Sequence, residues 1–381
     1  VIDRRHLLRQ ALATLALTPL APHLRAADAR SPTWLDLVHQ ATLPEGASLR
    51  VLARAGEQPH PGSDYVWHGA PDGGACFPHE DGGWVYACNS ELPSGQGGAG
   101  ALRFNAAGEL IDAYRILGGT TDNCAGGASL WGSWLSCEEN GESGLVYECD
   151  PWGEREARAL PALGAFNHEA VAMDPATGDA YLTEDRPDGC LYRFRPQRPG
   201  DLSEGQLEVA TLDGLQASWL PINDPGASSK ALRYQQPGAA RFRGGEGIVY
   251  HADHVYFTTK YDNRVWSLNL RNGYLSMIYD ATLSASPVLT GVDNIAVSPN
   301  GELLVAEDGG DLQLVGLADN RVAVPLVTLH NQDRSEITGP AFSPDGSRLY
   351  FSSQRGYSGM LTDGITYELT LPEDLRFSRL L

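Results

Sequence analysis

Across roughly residues 50–370 the chain alternates short apolar runs with polar turns rich in Gly, Pro, Asp and Asn. No 3.6-residue period is sustained over that span, so the pattern predicts β-strands rather than helices. Segments 169–185, 293–308 and 338–354 share one order: a polar start, a short apolar strand, a turn, a second apolar strand and a polar end. Pro-Asp-Gly and Pro-Asn-Gly in the turns are hairpin chemistry, because Pro presets φ and Gly takes the left-handed position. Less regular copies begin at Asp72, Cys124 and Glu246. Equivalent second-strand positions then fall at Val85, Leu135, Leu182, Phe257, Val305 and Phe351, spaced 50, 47, 75, 48 and 46 residues. Four even steps of one blade's length and one lengthened step predict an all-β fold, a six-bladed β-propeller. The long step holds an insertion at 199–238, which reads as a long surface loop. Strand-like residues 49–54 precede the first repeat and are expected to pair with the last blade, an N-terminal strand closing the ring.

The start of the chain has a different character. Asp3-Arg4-Arg5-His6-Leu7-Leu8-Arg9 resembles a twin-arginine motif, a mostly apolar run follows over 11–21, and Ala27-Asp28-Ala29 fits a small-residue cleavage site. The expected organisation is a signal peptide at 1–29, a lead-in segment at 30–47 and the propeller at 48–381. The expected location is periplasmic or secreted, with the twin-arginine translocase as partner during export. That route carries folded proteins, often with cofactors already installed, which hints at a bound metal. The apolar run is too short to span a bilayer and no other stretch approaches about 20 apolar residues, so no stable membrane insertion is expected.

Composition narrows the partners further. The chain has 48 acidic residues against 28 Lys and Arg, a formal net charge of −20. Such a surface repels nucleic acid, so duplex binding is not expected. Six cysteines are present, at 76, 88, 124, 137, 149 and 190. Cys76 and Cys88 lie twelve apart, as do Cys137 and Cys149, a separation suited to stapling neighbouring strands in an oxidising compartment. A CxxC pair of the kind that holds structural zinc is absent.

Hairpin geometry then selects the candidate chemistry. The start of the first strand and the end of the second lie at the same end of an antiparallel sheet. With first strands innermost, both positions crowd one mouth of the axis. The starts are Asp72, Cys124, Glu169, Glu246, Asp293 and Thr338, with Glu336 just before the last. The ends include Asn89, Glu138, Asp185, Lys260, Asp308 and Gln354, with Glu91, Glu139, Glu184, Asp262, Glu307, Arg186 and Arg355 beside them. Like charges so close cannot all stay ionised and unpaired, and bound cations relieve the conflict. Oxygen donors favour hard ions such as Ca2+ or Mg2+, whereas a thiolate at Cys124 favours a transition metal such as iron. Taken singly, a strand-end carboxylate is a solvated turn residue, Cys124 a buried apolar residue or half-cystine, and His168 a structural histidine. Four carboxylates and a thiol among six first-strand starts point instead to a shared site.

The same segments resemble the PhoX-type alkaline phosphatase family. The matching stretches are Asn-Cys-Ala-Gly-Gly at 123–127, Trp-Gly-Ser-Trp-Leu-Ser-Cys-Glu-Glu-Asn at 131–140, Asn-His-Glu-Ala-Val at 167–171 and Tyr-Leu-Thr-Glu-Asp-Arg at 181–186. Gly-Glu-Gly at 245–247, Gly-Val-Asp-Asn at 291–294, Ala-Glu-Asp-Gly at 306–309 and Phe-Ser-Pro-Asp-Gly at 342–346 follow in order. The resemblance implies an exported propeller phosphatase that hydrolyses phosphomonoesters with ferric iron (Fe3+) and calcium (Ca2+), with small phosphorylated substrates as its partners; a monomer is expected. It implies iron held in part by the Cys124 thiolate, with glutamate ligands at Glu169 and Glu246. Calcium-type carboxylates would be among Glu138, Glu184, Asp293, Glu307, Asp308 and Glu336, and Arg243, Lys260 and Arg355 would face the phosphate. Two alternatives are a calcium-dependent, lactonase-like propeller hydrolase and a non-catalytic binding propeller pinned by calcium.

Overall fold

Six antiparallel sheets stand around one axis in the computed structural model, which describes residues 33–317 and 322–371. The expected signal peptide lies outside the described residues. The first strands are Pro71–Pro78, Asn123–Ala128, His168–Met173, Gly245–His251, Val292–Val297 and Ile337–Phe342. Each packs on the next, and the sixth packs on the first, so the circle closes. Four of the second strands, Trp84–Ser90, Trp134–Glu138, Ala180–Glu184 and Leu303–Glu307, are buried along their whole length. Sheets covered on both faces explain why the sequence there reads as continuous apolar runs rather than clean alternation.

The described residues hold six buried apolar clusters, one at each seam between neighbouring blades. Val85, Leu135, Leu182, Phe257, Val305 and Phe351 all have 0% exposure. The repeat was therefore legible through its buried positions, because burial of one blade against the next is what stabilises the ring.

Closure runs as the sequence predicts. Ser48–Arg54 is the outermost strand of the sixth blade, pairing with Ile365–Thr370. The expected lead-in segment does more than lead in. Thr33–Asp36 and Ala41–Pro44 form a hairpin that joins the outer edge of the fifth blade, with Ala41 opposite Leu329.

Two expectations are corrected. The insertion is not a surface loop: Leu191–Arg198 and the long strand Asp201–Asp213 form a hairpin, and Gln216–Pro221 adds a fifth strand to the third blade. Gln216 also bridges Tyr274 of the fourth blade, and a short helix, Leu232–Gln235, follows. The cysteine pairs are not disulfides, since all six are free thiols. Cys137 lies opposite Val146 while Cys149 lies opposite Trp134, and the two pack into different seams. Cys76 faces Tyr86, whereas Cys88 faces Gly74. Among the described residues no helix is long and apolar enough to cross a membrane.

Candidate metal centre

Every blade carries the same irregularity near the start of its first strand. Pairing slips between Pro71 and Gly74, Asn123 and Gly126, His168 and Val171, Gly245 and Ile248, Val292 and Ile295, and Thr338 and Ala341. A bulge of this kind lifts a residue out of the ladder and re-aims its side chain. In the first five blades the residues so placed are Asp72, Cys124, Glu169, Glu246 and Asp293. Their successors are small because the next blade's backbone is close. A Cβ on Gly73 would sit 2.4 Å from Ala125 Cα, and one on Gly247 would sit 2.6 Å from Ile295 N.

Second strands end with a strict division of labour. The last paired residues include Glu138, Glu184 and Glu307. Their carboxylates turn to loop backbone rather than to the axis. Glu138 accepts from Thr121 N and Leu145 N, and Glu307 from Thr290 N and Gln313 N. Glu184 accepts from Cys190 N, Tyr192 Oη and Arg233 Nη1. The next residues, Glu91, Glu139, Asp185, Lys260, Asp308 and Gln354, form the second set at the mouth, spaced 48, 46, 75, 48 and 46 residues. Successive side chains in a strand point to opposite sides, so one residue decides between loop and axis.

Three donor groups emerge, each with ligand atoms within 4.8 Å of one another: Asp72, Glu91 and Cys124; Cys124, Glu139 and Glu169; Glu169, Glu246 and Asp293. Cys124 belongs to the first two groups and Glu169 to the last two, so the groups form a connected series across five blades. Both Glu169 oxygens are buried without a hydrogen-bond partner. Burial, together with repulsion from Glu246, Glu139 and Asp293, pushes the Glu169 carboxyl well above its ordinary range. Burial and the neighbouring charges of Asp72 and Glu169 likewise push up the Cys124 thiol. Asp293 is pushed up to about 7, chiefly by burial. Orphaned buried oxygens beside a thiol fit multivalent cations, with the sulfur suited to a transition metal and the all-carboxylate group to a hard ion.

The remaining arc is already paired. Lys260 Nζ lies 2.9 Å from Glu246, 3.5 Å from Asp308 and 3.8 Å from Asp185. Arg355 pairs with Glu336 at 2.7 Å, and Asp308 is bridged to Glu336 through the backbone. Gln354 Nε2 donates to both Asp72 and Glu91 at 2.6 Å. Below the acidic ring, the first strands enclose an axial cavity of about 410 Å³ lined by residues such as Ala75, Val171, Ile248 and Phe342.

The expected site residues therefore sort as follows. Cys124, Glu169, Glu246 and Asp293 come together in the donor series. Asp308 and Glu336 reach the mouth inside the ion-paired arc. Glu138, Glu184 and Glu307 stand apart from the donor groups, since their oxygens are spent on loops. Lys260 is enclosed by carboxylates, and Arg355 is half engaged. Arg243 is exposed, with its carbonyl accepting from Tyr261 N at 3.1 Å. His168 lies tilted against Phe166 and its Nε2 meets the Gly164 carbonyl at 2.9 Å, while its Nδ1 is buried without a hydrogen-bond partner. Asp72, Glu91 and Glu139 sit on the rim as the sequence implied, and they complete the donor groups that the expected ligand set left short.

The model of the family described as alkaline phosphatase PhoX matches residues 89–275 and 263–356, which include the Cys124, Glu169 and Glu246 bulges. The chain belongs to the PhoX alkaline phosphatase family. Membership makes it a phosphoric ester hydrolase, of a metal-dependent and typically exported family. The structure of Pseudomonas fluorescens PhoX in complex with vanadate, a transition state analogue, superposes with a TM-score of 0.73 at 16% identity, covering 90% of this chain and 97% of that one. A gluconolactonase from Xanthomonas campestris gives a TM-score of 0.55 at 12% identity, covering 91% and 99%. A Bacteroides thetaiotaomicron protein of unknown function gives 0.52 at 8% identity, covering 85% and 76%. At these identities the likeness is one of fold. No curated protein matches the chain.

Proposed function

We propose that the mouth is the active site of a phosphomonoester hydrolase that works with ferric iron and calcium. The observation that carries this reading is the linked donor series with its partnerless Glu169 oxygens. The two groups sharing Cys124 suit iron, and the group of Glu169, Glu246 and Asp293 suits calcium. Bound cations of this kind neutralise charge on the transferring phosphoryl group and hold the ester oxygens in line.

The chain's own groups set the rest. Arg355, with its side chain 30% exposed, and the exposed Arg243 would donate to phosphate oxygens. Thr338, the hydroxyl of the inner ring, donates to the Pro71 carbonyl at 2.8 Å and is not offered to the ester. An exported monomer, delivered folded by the twin-arginine translocase, suits a protein that acquires its metals before leaving the cytoplasm. A lactonase-like centre built on one calcium has no use for the thiol.

Metal analysis of natively exported protein, alongside aryl phosphate hydrolysis from neutral to alkaline pH, tests the reading. Iron and calcium together, with turnover that disappears in Cys124→Ser, are the expected results. Calcium without iron, or full activity in Cys124→Ser, overturns it.

A further inference from the structure

Lys260 stands where the other blades present Glu91, Glu139, Asp185, Asp308 and Gln354, so the ring has one basic member. Its surroundings are those of a metal ion. Carboxylates from three consecutive blades, Asp185 of the third, Glu246 of the fourth and Asp308 of the fifth, converge on one ammonium at 3.8, 2.9 and 3.5 Å. An ammonium has three hydrogens to give and meets three anionic acceptors. The side chain is held at its root as well, since Lys260 N donates to the Gly244 carbonyl at 2.8 Å.

We infer that Lys260 is a tethered stand-in for a divalent cation, filling a fourth position that continues the donor series from Glu246 to Asp185 and Asp308. The inference rests on the proposed reading only in taking the first three positions to hold ions. A second observation points the same way. The other oxygen of Asp185, Oδ1, is buried and has no hydrogen-bond partner. Glu246 Oε1, 2.9 Å from the ammonium, is also without a hydrogen bond, so one ammonium leaves acceptors over that a divalent ion taking six to eight oxygens would use. Glu246 belongs to both the third donor group and the Lys260 cage, so the lysine limits how many ions the mouth takes up. It also places a permanent positive charge beside the proposed calcium position, without dependence on calcium supply. This role replaces the expected one of a phosphate clamp, because an ammonium enclosed by three carboxylates would have to leave all of them to reach an ester.

The test counts ions in the full-length exported chain. Protein stripped with chelator is dialysed against graded calcium, and bound calcium per chain is measured for wild type, Lys260→Ala and Lys260→Arg. Lys260→Ala should bind one more calcium than wild type, and Lys260→Arg the wild-type number. Metal-free Lys260→Ala should melt below metal-free wild type, and saturating calcium should close the gap. Equal calcium numbers and equal melting for Lys260→Ala and wild type overturn the inference. So does a Lys260→Ala protein that fails to fold at every calcium concentration while Lys260→Arg folds, because calcium must restore what the ammonium supplied. The count does not depend on catalysis: absent phosphatase activity removes the proposed function yet leaves the extra ion to be seen or missed.

Discussion

The two arcs of the mouth are built by the same bulge and the same strand ends, yet they handle charge in opposite ways. In blades one to three, Asp72, Glu91, Cys124, Glu139 and Glu169 converge, and among the described residues none of the four carboxylates is ion-paired with a Lys or Arg, although Lys260 and Arg355 still act on Glu91 from a distance. In blades four to six, Lys260 and Arg355 stand among Glu246, Asp308 and Glu336. Burial raises Glu246 and Glu336 of the second arc as it raises the carboxyls of the first, and the difference shows at Asp308. Asp72 is pushed well above its ordinary range by burial and by the charges of Glu91 and Asp293. Burial would raise Asp308 too, but its hydrogen bond with Glu336 and the nearby Lys260 and Arg355 hold it below the ordinary range. Propeller geometry delivers six inward positions, and residue identity at each decides whether the protein or an ion supplies the compensating charge.

The sharpest way to break that contrast is Glu169→Leu. Removing the residue shared by two donor groups should empty the open arc of metal and lower phosphatase activity about a thousandfold or more, equivalent to about 4 kcal/mol of transition-state stabilisation. The same change replaces a buried, partnerless carboxyl by an apolar side chain of similar size. Metal-free stability should therefore rise by about 1–3 kcal/mol. Chemical denaturation of stripped protein, read beside metal content, checks both. A fall in metal-free stability would mean that Glu169 has a folding partner and that the open arc is not open.

A second contrast lies between neighbours in sequence. Glu184 holds the corner of the third blade, while Asp185, one residue on, faces the mouth. Arg233, 12% exposed and carried by the insertion, meets Glu184 at 2.9 Å. Arg233→Ala leaves a fully buried carboxylate without its cation and should cost about 3 kcal/mol of stability. The hydrogen bonds from Tyr192 Oη and Cys190 N remain and limit the loss. Metal content per folded chain should stay at the wild-type value. Metal loss in step with the melting change would place Glu184 among the ligands after all.

These neighbours also mark what a sequence can and cannot reveal. The repeat is legible because each turn declares itself through Pro, Asp and Gly and each buried strand through its apolar run. Cys124, Glu169, Glu246 and Asp293 are legible as site residues because each opens such a run and is followed by Ala, Gly or Asn, the small residues a close approach demands. Glu138, Glu184 and Glu307 mislead because the choice between loop and axis rests on parity at the end of the second strand, where an acidic residue stands on either side of the choice. Lining up the six repeats on their polar ends, rather than on Val85 and Leu135, finds Glu91 and Glu139 and evens the spacing to 48 and 46. The insertion escaped as strands because Asp201–Asp213 is an outer strand whose exposed Ser203–Gln206 stretch interrupts any apolar alternation. Thr33–Asp36, three-quarters exposed at a sheet edge, offered no pattern at all.

The smallest expected effect concerns aim rather than charge. Three of the bulges are tied to the blade before them by a buried donor. Asn89 Nδ2 reaches the Cys124 and Ala125 carbonyls at 3.0 and 2.7 Å, Thr183 Oγ1 the Glu246 carbonyl at 2.6 Å, and Thr258 Oγ1 the Asp293 carbonyl at 2.5 Å. Ties of this kind occur in both arcs. Thr258→Val keeps the volume and removes one such bond, which should cost about 1 kcal/mol of stability. With the tie gone the Asp293 backbone is free to shift, so calcium affinity at the third donor group should fall several-fold while iron content holds. A lower melting temperature with unchanged calcium affinity would show that the bulge aims Asp293 unaided, and that the ties between blades serve the fold rather than the mouth.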